Sequence, residues 1–162
     1  MSEIIAEQIV AKVKDRLAEI NVADGYQFTT PEVVRPLRFV NNRFQNLQIL
    51  VTISEIATNQ SLSHPGNPPA IAKDMTVMCS CYGMVSKTDK NPADYWRNRI
   101  FGAMSKAITT GVAWWQWGGL AINTMVGNPI YRAEDGGANV GVQLPVIITF
   151  RTDEDDPFQV RA

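Results

Sequence analysis

From Val140 to Phe150 every second residue is apolar: Val140, Val142, Leu144, Val146, Ile148 and Phe150. A period of two fits an extended chain with one face against a core and the other in a polar setting. A strand this long needs sheet neighbours and a layer to cover its apolar side. Two other segments supply the neighbours. In NLQILVTISEIA, Leu47, Ile49, Val51 and Ile53 share a face, and in DMTVMCSCYGMVS, Met75, Val77, Cys79 and Cys81 do the same. Pro145 has no N–H to give to a ladder, which predicts that the last strand is peripheral or bulged there.

Two amphipathic segments supply the cover. Ile5, Ile9, Val13, Leu17 and Ile20 recur at helical spacing, with Lys12, Asp15, Arg16 and Glu19 assigned to the wet side and Ser2 as the cap. The second helix opens at NPAD, where Asn91 suits the cap and Pro92 the first helical position. Its stripe is Ala93, Trp96, Ile100, Ala103, Met104 and Ala107, and Gly111 is placed to end it. A short edge segment in YQFTTPEVVRPL and a strand in LAINTMV complete the order α–β–β–β–α–β–β. This is an α/β chain of the α+β kind: a mixed, mainly antiparallel sheet of about four to five strands with two helices packed on one face. Residues 1–162 read as one domain. A long polar loop is expected at about 57–74 (TNQSLSHPGNPPAIAK in its main part) and an acidic tail at about 152–162.

Charge and composition narrow the function. Fifteen basic residues against sixteen acidic leave a net charge of -1, so the monomer has no strong field for gripping phosphates. No apolar run approaches the roughly 18–20 residues that cross a bilayer, and no membrane association is expected. The opening MSEIIAEQIVAKVKDRLAEI carries acids at helical spacing in place of a basic region and an apolar block, so no secretory leader is expected. Cys79 and Cys81 stand at i and i+2, too far apart in a strand for an easy disulfide, and read as small buried hydrophobes.

The residues give little support to catalysis. His64 is the one histidine and lies in SHPGNPP without a neighbouring serine, cysteine or carboxylate arrangement. GxGxxG and the P-loop pattern are absent, and no cofactor is expected. Trp114, Trp115 and Trp117 have no interleaved basic residues, which favours core or subunit contact over base stacking. TDEDDP lacks the central glycine and later glutamate of a calcium loop, so Asp153, Asp155 and Asp156 are expected on a solvated exit from the sheet, with Phe158 beside them.

The order of elements, with NPADYWRNRIFGAMSKAI, INTMVGNPIYRAEDGG and VQLPVIITFRTDEDDPF, resembles the tail terminator proteins of long-tailed bacteriophages. These are also called minor tail or tail completion proteins, with the lambda tail terminator as the type. The resemblance spans nearly the whole chain and is one of architecture. It implies a virion protein at the tail–neck junction, assembled in the host cytoplasm as a hexameric ring. Such a ring caps the tube of major tail protein, ends its polymerisation, and offers a docking surface to a head-completion or neck protein. DNA passes through the channel without sequence-specific binding. The resemblance implies no catalytic, cofactor or metal residue. Contacts with other subunits or partners are expected in the region from Val33 to Phe39, at His64, at Trp114, Trp115 and Trp117, and at Asp153, Asp155, Asp156 and Phe158. Another head–tail connector, such as a stopper, shares this size and composition; a small cytoplasmic enzyme or ligand-binding subunit is the alternative of a different class.

Overall fold

A computed structural model of the chain describes residues 3–36, 45–84, 90–133 and 139–161. It contains two helices, α1 (Ile5–Ala18) and α2 (Ala93–Thr109), and six strands: β1 (Val33–Val34), β2 (Ile49–His64), β3 (Ala70–Met84), β4 (Asn123–Val126), β5 (Ile130–Ala133) and β6 (Asn139–Asp153). The strands form one sheet in the order β1-β2-β3-β6-β4, with β5 also paired to β6. Only β1 and β2 run parallel; the other pairs are antiparallel. The α+β architecture expected from the sequence is the one observed, with six strands. The extra strand is β5, which takes up part of the turn-rich GNPIYRAEDGG segment.

The period-two faces assemble the core. Ile49, Val51, Met75, Val77, Cys79, Cys81, Val142, Leu144, Val146 and Ile148 are all completely buried, and they meet the stripe Ile5, Ile9, Val13 and Leu17 of α1. Ile100, Met104, Ala107 and Ile108 of α2 enter the same cluster, so both helices cover one face of the sheet. Register follows the pattern: Cys79 stands between Val51 and Leu144, and Cys81 between Ile49 and Val142. A one-residue slip would turn all of these side chains to the opposite face. The helix starts differ from expectation. Ser2 lies outside the described residues, and α1 begins after Ile4 without a side-chain cap; Pro92, not Asn91, occupies the cap position of α2.

Two expectations about strands are corrected. β6 is central, not peripheral, because it pairs with β3 along its full length and with β4 and β5 on its other side. Pro145 is tolerated because its backbone faces the gap between β4 and β5, where its carbonyl accepts from the Gly127 N–H at 2.8 Å. Gly127 has to be glycine there, since a Cβ would sit 2.9 Å from Pro145 Cγ.

The expected loop at 57–74 is largely strand, because β2 runs to His64 and β3 begins at Ala70. Ser54–Thr58 are exposed, so no apolar alternation was required of them. Beyond a register shift between Ile53 and Glu55, a second lies between Asn59 and His64, and side chains replace the missing ladder. Asn59 Oδ1 accepts from Ser61 Oγ (2.8 Å) and Leu62 N (3.2 Å), while Ser63 Oγ accepts from Ala72 N (3.0 Å). Asp74 then links three strands, accepting from Asn59 Nδ2 at 3.0 Å and from Thr149 Oγ1 at 2.6 Å.

The buried cysteines make the fold sensitive to high pH. Burial pushes both thiols up from the ordinary 9.0 to about 12, so each stays protonated in the native state. A raised folded-state value means that this contribution is complete below the unfolded thiol value. It falls away as pH rises from 9.0 towards about 12, where the unfolded chain gives up protons that the folded chain keeps. Urea titrations at rising pH are expected to show this component of destabilisation in the wild type and to lack it in a Cys79→Ala/Cys81→Ala variant. In the native wild type a thiol reagent is expected to leave both residues unmodified.

Candidate functional site

Three surfaces carry the residues singled out by sequence, and a fourth was not foreseen. The first is the tryptophan turn after α2. A 3-10 turn at Trp114–Gln116 is flanked by Ala113 (φ 53°) and Trp117 (φ 51°), both in the left-handed region that non-glycine residues avoid at roughly 1 kcal/mol or more each. What holds this conformation is the indole of Trp117, which is 0% exposed and donates from Nε1 to Thr124 Oγ1 at 2.8 Å. The Thr124 hydroxyl in turn donates to the Trp115 carbonyl at 2.7 Å. From above, the Arg16 guanidinium stacks on the Trp117 ring at 3.9 Å, and its Nη1 donates to the carbonyls of Ile108 and Trp114, each at 2.8 Å.

Arg16 therefore does not belong on the wet side of α1, where helical spacing alone put it. Desolvation by burial pulls its guanidinium below the ordinary arginine value, against a smaller opposing effect of Glu19. It remains a cation at neutral pH. Trp117 is likewise a core residue, and its buried side chain is unavailable for subunit contact. Trp115 is 40% exposed and packs edge-to-face on the half-buried Trp114, with ring centroids 6.1 Å apart. Exposed Ile122 and Met125 flank Thr124 on the segment leading into and along β4.

The second surface is the end of the sheet where β2 turns into β3. His64 pairs with Ala70, and Ala70 pairs with Asp153, so the histidine and the first carboxylate of TDEDDP lie across three strands at one end. The acidic segment is not a free tail. Glu154 N donates to Pro69 O (2.9 Å), Ile5 N to Pro157 O (3.1 Å) and Arg161 N to Arg151 O (2.9 Å), and Thr152 bridges Val160. Asp153 pairs with Arg161 at 2.5 Å, and Asp156 accepts from Phe158 N at 3.1 Å. Glu154, Asp155 and Phe158 stay exposed, so the segment is a pinned turn that presents carboxylates and an aromatic ring to solvent.

The third surface is β1. Val33 is buried among the core residues, which removes its side chain from any subunit contact. Phe39 lies outside the described residues.

The fourth surface is a groove of about 450 Å³ between α2 and the turn after α1, bordered by Gly25, Tyr26, Tyr95, Arg99, Gly102 and Lys106. Lys106 Nζ sits 4.5 Å from the centre of the Tyr26 ring and donates to Gly25 O at 3.3 Å. Arg99 donates to the Tyr95 hydroxyl and, at 3.2 Å, to Gln27 O. The i, i+4, i+7, i+11 spacing of Tyr95, Arg99, Gly102 and Lys106 could have signalled one face of α2. Its pairing with the Gly25 turn is a tertiary event.

Among the described residues no three His, Cys, Asp or Glu side chains converge as a metal site, and His64 stands exposed at a strand end. No protein-family model matches the chain, and a search of curated proteins finds no match.

The contrast between the tryptophans is measurable. Trp117→Ala is expected to cost about 3–5 kcal/mol, the range for a buried aromatic truncated to alanine. Trp115→Ala should cost about 1 kcal/mol or less, as for a surface substitution. Arg16→Met, which orphans two carbonyls, is expected to cost about 1–3 kcal/mol. Urea unfolding followed by tryptophan fluorescence and circular dichroism checks all three.

Proposed function

We propose that this chain is a structural virion subunit of the tail terminator type. As a ring, it would cap the phage tail tube, end tube growth and receive the neck of the head. The observation that carries the reading is the sheet edge and apolar surface that the described residues of one copy leave uncovered. Among those residues β1 pairs with β2 only at Ile49 and Leu50, and β2 then runs on to His64 with exposed residues from Ser54 to Thr58. On the other side of the sheet, Trp115, Met125, Ile130 and Tyr131 are all at least 40% exposed. Long open edges invite pairing with other chains, and contiguous apolar surface marks contact sites. Two unlike surfaces on opposite sides of a sheet suit heterologous contacts, which close into rings when the rotation permits.

Charge supports the same reading. A conduit for DNA must let its cargo slide, and a chain of net charge -1 offers no collective grip on phosphates. In this role the residues act by shape and contact, and no chemical step is assigned to any of them.

Negative-stain electron microscopy of the purified protein, alone and with tail tubes, is expected to show rings with a central hole, bound at one end of each tube. Virions made without the chain are expected to carry overlong or unjoined tails. Tails of normal length with leaking heads would instead assign it to a stopper, and normal particles would remove it from the neck altogether.

A further inference from the structure

We infer that the Arg99–Lys106 groove is the receptor for the acidic turn Glu154–Phe158 of a second copy of this chain, and that this contact joins neighbouring subunits. The inference names one contact within the assembly proposed above and rests on that reading.

The groove presents two cations that no carboxylate among the described residues of the subunit neutralises. Among the described residues neither Arg99 nor Lys106 has a carboxylate within ion-pair distance; the two recorded ion pairs are Arg35 with Glu7 and Arg161 with Asp153. Instead, both cations face ring surfaces and neutral oxygens. Lys106 lies over Tyr26, and Arg99 lies 5.2 Å from the Tyr95 ring and 5.3 Å from the Trp96 ring. Arg99 Nε is also buried without a hydrogen-bond partner. Such contacts orient a cation without neutralising it. Between the two, Gly102 leaves the wall open, since a Cβ there would meet nothing within 4 Å.

The acidic turn is the matching surface. The carboxylates of Glu154 and Asp155 are exposed and have no cation within ion-pair distance among the described residues. Phe158 (45% exposed) adds an apolar surface to meet the tyrosines. The turn cannot fold back into its own groove. Pro157 is hydrogen-bonded to Ile5 at the start of α1, whereas Gly25 follows the far end of that helix. Fourteen helical residues separate the two ends, about 21 Å at the usual rise. Occupancy is therefore between copies, and donor and receptor surfaces differ, as a heterologous contact requires.

Charge exchange tests this. Variant one carries Arg99→Glu and Lys106→Glu; variant two carries Glu154→Lys and Asp155→Lys. Association is measured by sedimentation velocity in low salt. The wild type is expected to self-associate, and each variant alone to do so about tenfold more weakly or worse. An equal mixture is expected to recover, because the basic turn of variant two then meets the acidic groove of variant one. A misfolded variant could not be rescued in this way. Gly102→Leu should block the groove by bulk while raising the helical stability of α2, so weaker association with a higher melting temperature also supports the contact. Variants that associate like the wild type, or singles that weaken with no recovery on mixing, overturn the contact. If wild-type rings are still seen by microscopy in that case, the ring reading stands without it. A wild type that stays monomeric at low salt and high concentration also overturns the contact, while the tail-length experiment decides the terminator reading separately.

Discussion

The architecture turns on one cation. Arg16 projects from α1, stacks on Trp117 and holds the carbonyls of Ile108 and Trp114, so it touches α1, the last turn of α2 and the tryptophan turn at once. Ile108 O is among the carbonyls that a helix leaves without an internal partner, and a positive charge there also meets the negative end of the helix dipole. Thr124 completes the link to the sheet by accepting from the Trp117 indole. The left-handed backbone at Ala113 and Trp117 is affordable only inside this arrangement, since the buried indole and its hydrogen bonds offset the steric cost.

With that junction in place, the division of the surface follows. The helices lie over one face of the sheet and hold the core. The outer half of β2, the β4–β5 side and the acidic turn are left to solvent. α1 runs from the acidic turn, where Ile5 meets Pro157, to the opposite end, where Thr30 N donates to Ile20 O at 3.1 Å. That axis separates the carboxylates of Glu154 and Asp155 from the cations of Arg99 and Lys106. Two unlike surfaces, one carrying Glu154 and Asp155 and the other Arg99 and Lys106, are what a head-to-tail contact requires.

Sequence pattern and structure agree where burial repeats regularly. Val140 to Phe150, Met75 to Cys81 and Ile5 to Leu17 all place their apolar residues in the core, because a one-sided environment imposes a period that can be read directly. They part where partners are distant or burial is absent. Arg16 looks like any solvent-facing residue of an amphipathic helix, yet its hydrogen-bond partners are 92 and 98 residues away. The outer half of β2 looks like a loop because solvent on both faces removes the alternation, while Asn59, Ser63 and Asp74 supply hydrogen bonds in its place. Pro145 looks like an edge residue, yet it lies in the central strand beside a gap in the pairing.

The closing acidic segment shows the same division. Its composition alone determined that it would leave the core, because four consecutive carboxylates cannot be buried without partners. The amphipathic helices, the alternating strands and the α+β class were likewise local consequences of where apolar side chains recur. Tertiary structure decided that the acidic segment is a pinned turn, that Trp117 is core while Trp115 is surface, and that Arg99 and Lys106 frame a groove with Tyr26. The physical reason is range. Periodicity records whether a residue faces water or core, whereas a clamp, a groove or a pinned turn depends on which distant segments the packed core brings within hydrogen-bond reach.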